Sequence, residues 1–151
     1  MQNVFDAKDA QEYINRINNL TPETQRKWGK MSVDQVLAHL NVAYDLTFTP
    51  EKFPKPSFIA KFLLSKFVKP KITNEIPYKQ SLPTSPAFII ADERNFEEEK
   101  AKLIGNIQRV QQLGREAFEG KENINFGKMT AQCWNNMFAK HLNHHLEQFG
   151  V

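Results

Sequence analysis

Three histidines, His39, His141 and His145, have the types and spacing best suited to chemistry in this chain. His141 and His145 are four residues apart, one helical turn, so on a helix both imidazoles leave the same face. His39 lies seven residues after Ser32 and His141 eleven after Thr130, two hydroxyl residues that read as helix caps. At about 100° per residue, both offsets return to within roughly 20° of the cap's own direction, so the two helices present imidazoles on equivalent faces. Neutral imidazole suits zinc, nickel, iron and copper. Three protein nitrogens would leave a position open to water or substrate, the mark of a catalytic rather than a structural site.

Standing alone, His39 between Val36, Leu40 and Ala43 would read as a core histidine bonded to a backbone carbonyl. Three imidazoles converging without a ligand would instead leave several buried rings in need of partners, and the sequence places no obvious carboxylates on those faces. Metal binding is the stronger reading. His144 is turned about 100° from His145 and is expected to face solvent or an interface. Gln148, three residues past His145, is a candidate to hold an imidazole in place, or else an exposed helix-end residue. Trp134, seven residues before His141, is expected to floor the pocket. Cys133 points about 80° away from His141 with nothing to activate it, so it reads as a structural cysteine. No residue reads as a catalytic acid, base or nucleophile.

Helices must position these groups. Asp6 caps a first helix to about Asn18, with Ala10, Tyr13, Ile14 and Ile17 on one stripe. Ser32-Val-Asp-Gln35 is a capping box opening a second helix, which should stop before Pro50. Seven prolines from Pro50 to Pro86 then leave room only for a short amphipathic helix over 57–68. Asn95 opens a long helix ending at Gly114, and Thr130 caps the last, which runs to about Phe149. Trp28-Gly-Lys-Met-Ser32 and Phe126-Gly-Lys-Met-Thr130 open the second and fourth long helices alike, which suggests two related halves. Four such helices predict an all-α antiparallel bundle in a single domain over 1–151, with a Pro/Lys-rich insertion at about 50–90 between helices two and three.

Composition narrows the function classes. At 151 residues, 40% hydrophobic and 25% charged, the chain suits one globular domain. One cysteine forbids an internal disulfide, and neither a secretory leader nor a transmembrane span is legible, so a cytoplasmic location is expected. The net charge is +3, but seven lysines against two acids put +5 between Glu51 and Gln80 and leave −2 elsewhere. That concentration is not the clustered-arginine footprint of a nucleic-acid binder. Lys61, Lys66 and Lys69 are the candidate contacts for an anionic ligand, against the plainer reading of a solvated surface. Phe58, Phe62 and Phe67 beside these lysines would suit a membrane surface, a partner or a pocket cover.

Trp28-Gly-Lys-Met-Ser-Val-Asp-Gln-Val-Leu-Ala-His39-Leu and His141-Leu-Asn-His-His145-Leu-Glu-Gln-Phe-Gly150 resemble the DinB-like superfamily, in a branch of unknown function of the DUF1569 type. The resemblance implies an up-down four-helix bundle, a histidine triad at His39, His141 and His145 holding zinc or nickel, and a homodimer. It further implies a metal-dependent transferase that moves a low-molecular-weight thiol onto an electrophile in a small-molecule substrate. A dication with an open position would favour the thiolate form of such a thiol. Metal-dependent hydrolysis is the alternative, weakened by the lack of a general base. A non-catalytic metal-binding or interaction protein is the remaining class.

Overall fold

The computed structural model describes residues 1–151, and the chain is mostly helical. Four long helices carry the core: α1 (Ala7–Asn18), α2 (Val33–Phe48), α5 (Phe96–Leu113) and α6 (Ala131–Gln148), with α3 (Phe58–Leu63) and α4 (Lys69–Thr73) in the long connection after α2. Each long helix begins at the cap its sequence announces. Asp6 accepts from the amides of Lys8 and Asp9 at 2.9 and 3.1 Å, Asn95 from Glu98 at 3.1 Å, and Thr130 from Cys133 at 3.2 Å. At α2 the Ser32 amide donates to Gln35 Oε1 at 3.1 Å, half of the reciprocal capping arrangement. The buried stripe of α1 is Ala10, Tyr13, Ile14 and Ile17. By contrast, α2 is buried almost all round. Trp134, Tyr13, Phe118, Phe138, Leu37 and Leu103 are among the fully enclosed side chains.

Side-chain pairs give the helix directions. From α1 to α6, Val4 meets Asn135, Tyr13 meets Ala139 and Arg16 meets Asn143, so residue numbers climb together and the two helices are parallel. Gln35 with Asp92, Asn41 with Glu99 and Asp45 with Lys102 make α2 and α5 parallel as well. Against these, Trp28 meets Gln148, His39 meets His141 and Tyr44 stacks on Phe138, so α2 and α6 are antiparallel. The order is therefore up, down, down, up. This corrects the alternating up-down order expected from the sequence, and it changes the meaning of residues 49–95. Because α2 and α5 run the same way, the chain must return along the length of α2, roughly 24 Å, before α5 can start. The stretch expected as an insertion is an obligatory crossover.

The same directions fit two related halves, since exchanging α1 with α5 and α2 with α6 maps one parallel pair onto the other. The openings of α2 and α6 also share a backbone. Gly29 and Gly127 hold φ of +82° and +69°, where only glycine is at ease, and the caps Ser32 and Thr130 are both extended. The second opening forms a small antiparallel hairpin, β1 (Glu122–Asn123) with β2 (Gly127–Lys128).

In the crossover, the helix expected over 57–68 is present, capped by Ser57, and runs five residues further, to Thr73. After α3 comes a π turn, Leu64–Val68, and then α4. Pro70 lacks an amide hydrogen and its ring would crowd the Lys66 carbonyl in a continuous α-helix, whereas the wider turn avoids that clash. No helix is long and apolar enough to cross a membrane.

Candidate metal centre

His39 comes from the middle of α2, and His141 and His145 from the last two turns of α6. Because α2 and α6 are antiparallel and in contact, one imidazole from the first meets the i, i+4 pair of the second. Each histidine offers a ring nitrogen, and these atoms all lie within 4.8 Å of one another. His39 Nε2 and His141 Nε2 are 2.9 Å apart. Two nitrogens bound at about 2.0–2.1 Å to one ion are separated by roughly 2.9–3.4 Å, so this pair already has the spacing of adjacent ligands.

The opposite ring edges are tied down. His39 Nδ1 donates to the Phe88 carbonyl at 2.8 Å, and His145 Nδ1 donates to Gln148 Oε1 at 2.8 Å. Gln148 is itself oriented, since its Nε2 donates to the Trp28 carbonyl at 2.8 Å. With a proton fixed on Nδ1, the Nε2 lone pairs of His39 and His145 are left for a ligand. The glycine before this support is required by space as well as by φ: a β-carbon at Gly29 would strike Gln148 Nε2. Gln148 is buried, not exposed at the helix end.

Burial decides the charge of the site. It pushes the His145 pKa down to about 3, places His141 well below the ordinary imidazole value and lowers His39, partly offset by the Phe88 bond. The neighbouring imidazoles reinforce this, each disfavouring a positive charge on the next. No carboxylate is among the groups acting on the three rings. Three neutral, mutually facing imidazoles with anchored far edges form a donor set that fits a divalent ion of the zinc or nickel kind. His39 and His145 are buried, and His141 is half-buried. The Phe88 ring packs edge-on to His39 and His141 at 5.4 and 5.9 Å between ring centres.

Other residues singled out from the sequence lie elsewhere. Trp134 is fully buried against Phe118 and Phe138, two turns down α6, and its indole donates to the Lys121 carbonyl at 3.4 Å. It belongs to the aromatic core and meets none of the three rings. Lys61 pairs with Glu122 at 2.7 Å, Lys69 donates to the Lys128 carbonyl at 2.8 Å, and Lys66 lies over the Phe62 and Phe67 rings. Lys61 and Lys69 thus bond to the hairpin before α6, roughly 15 Å along the helix from His141. His144 is half-buried, edge-on between Trp28 and Tyr78 at 6.1 and 5.6 Å. Cys133 is partly exposed, near the start of α6.

Two supports escaped the sequence reading. Phe88 contributes a backbone carbonyl from the crossover, for which no residue pattern exists. Lys140 is buried and binds the crossover through the Lys71 carbonyl at 2.7 Å and Asn74 Oδ1 at 2.6 Å, with Tyr78 beneath its ammonium at 4.4 Å. Its proximity to the triad in sequence, one residue before His141, was the available signal. Trp28 leaves its buried indole N–H without a partner beside His144.

No curated protein and no solved structure matches the chain. One family model matches residues 2–150, nearly the whole chain, and its description reads protein of unknown function. On that match the chain belongs to the family DUF1569.

Proposed function

We propose that this chain is a DinB-like four-helix bundle that holds one divalent ion, zinc or nickel, on His39, His141 and His145, and uses it to transfer a low-molecular-weight thiol to an electrophile. The supporting observation is the convergence of three neutral ring nitrogens whose far edges are fixed by the Phe88 carbonyl and Gln148. An ion bound there supplies the positive charge that favours a thiolate over a thiol. The chain's own part is to orient the rings and to keep them unprotonated at neutral pH. Transfer forms a carbon–sulfur bond, releases the electrophile's leaving group and passes the thiol proton to solvent.

No carboxylate faces the rings, so a general base for activating water is missing and the transferase reading stands ahead of the hydrolase. A small-molecule substrate, a cytoplasmic location and a homodimer complete the proposal. Zinc- or nickel-loaded protein should accelerate conjugation of bacillithiol or glutathione to a model electrophile, and chelation should abolish the rate. Metal-dependent ester or amide hydrolysis without thiol conjugation would transfer the proposal to a hydrolase.

A further inference from the structure

The crossover carries an amphipathic segment mounted the wrong way round. Lys61, Ser65 and Lys69 recur every four residues, and all three bond inward to the hairpin opening α6: Lys61 to Glu122 at 2.7 Å, Ser65 to the Phe126 carbonyl at 3.4 Å, and Lys69 to the Lys128 carbonyl at 2.8 Å. The polar stripe therefore faces the protein. The apolar side faces water, with Phe58 87% exposed, Ile59 70%, Phe62 56% and Phe67 57%. A helix that packs on its own core buries its apolar stripe, so this orientation points to a partner outside the chain. The segment is also firmly seated, because α4 is held to α6 by Lys140 on the Lys71 carbonyl and by Asn136 on the Thr73 carbonyl at 2.8 Å.

Charge identifies the partner. Lys52, Lys55, Lys66 and Lys71 are exposed in this segment, within the stretch that carries +5 while the rest of the chain carries −2. Lys66 Nζ rides over the Phe62 and Phe67 rings at 5.9 and 5.6 Å, an ammonium perched on apolar surface. A second copy docking through the same face about a two-fold axis would set this positive field against itself. An anionic lipid surface would meet both features together, with phenyl rings entering the headgroup boundary and lysines matching the phosphates. We propose that the outward face of α3 and the π turn docks the protein on an anionic bilayer surface.

Flotation of the full-length protein with phosphatidylglycerol-containing vesicles tests this, with phosphatidylcholine vesicles as comparison. Binding is expected only to the anionic vesicles and is expected to fall as salt is added. Phe58→Ser with Phe62→Ser should reduce it about tenfold or more, and Lys66→Glu about fivefold or more. Circular dichroism should show these variants folded, since the substituted side chains are outside the core. His145→Ala should float like the wild type, which separates this surface from the metal reading. Absence of binding to anionic vesicles would overturn the proposal. Equal binding to both lipids, or binding unchanged by the phenylalanine substitutions, would do the same. So would self-association lost in the double variant without vesicle binding, which would assign the face to a second copy.

Discussion

The two ends of the α2/α6 pair are built alike and furnished differently. Counting from the caps Ser32 and Thr130, the counterpart of His39 is Met137, that of His141 is Ala43 and that of His145 is Thr47. At the histidine end, three imidazoles face one another with no acid between them. At the other end Thr47 turns its hydroxyl back to its own helix, on the Ala43 carbonyl at 2.7 Å. The space there is filled by Tyr44, Phe138 and Trp134, which stack in succession, with Phe118 edge-on to Phe138. One backbone arrangement thus supports a polar, ligand-ready end and an apolar, cohesive end. The second stabilises the fold that the first, with its desolvated imidazoles, weakens.

The comparison can be broken most forcefully at the apolar end. Phe138→Ala should cost about 3–5 kcal/mol of stability by denaturant unfolding, as expected for a large side chain removed from a packed core. The folded fraction should still bind one ion per chain. Loss of metal binding with little loss of stability would show that the division between the ends is wrong.

A smaller effect is expected at the supports of the site. Gln148→Ala frees His145 to rotate, and should weaken zinc binding roughly 10–100-fold while leaving one ion per chain at saturation. Gly29→Ala should act in the same direction, because the added carbon displaces Gln148. Wild-type affinity in both variants, read by competition with a chromophoric chelator, would mean that the Gln148 contact does not hold the ring.

A further effect concerns pH in the metal-free protein. In the unfolded chain these histidines titrate near 6.5, whereas burial holds His145 at about 3 when folded. Below 6.5 the unfolded state therefore binds more protons, so this contribution is absent above that pH and destabilises the fold increasingly as pH falls towards 3. His145→Gln should flatten the pH dependence of the unfolding midpoint across that window. A dependence identical to wild type would indicate that His145 is not held neutral by its surroundings.

Much of this organisation was legible in the chain because helix caps and one-turn spacing are local signals. Asp6, Ser32, Asn95 and Thr130 mark helix starts within a residue of where the helices begin. The i, i+4 pair of His141 and His145, with His39 at an equivalent offset from its own cap, anticipated the clustering seen here. The order of helix directions was not legible, since it depends on which long helices run parallel, and parallel packing leaves no periodic trace. For that reason residues 50–90 looked like an insertion rather than a return path. Trp134 shows a further limit: seven residues restore the direction on a helix but move the side chain about 10 Å along it, into the aromatic core. Lys61 and Lys69 are misread from charge alone, because their partners, Glu122 and the Lys128 carbonyl, are some sixty residues away in sequence.

Calorimetric zinc titration of the wild type and four single variants tests the central claim most directly. The account predicts one ion per chain in the wild type and in His144→Ala, whose ring lies between Trp28 and Tyr78 outside the cluster. His39→Ala, His141→Ala and His145→Ala should each lose more affinity than the roughly 10–100-fold expected for a lost supporting hydrogen bond, with helix content retained. A wild type that binds no zinc or nickel, or loss of binding in His144→Ala with retention in His141→Ala, would contradict it.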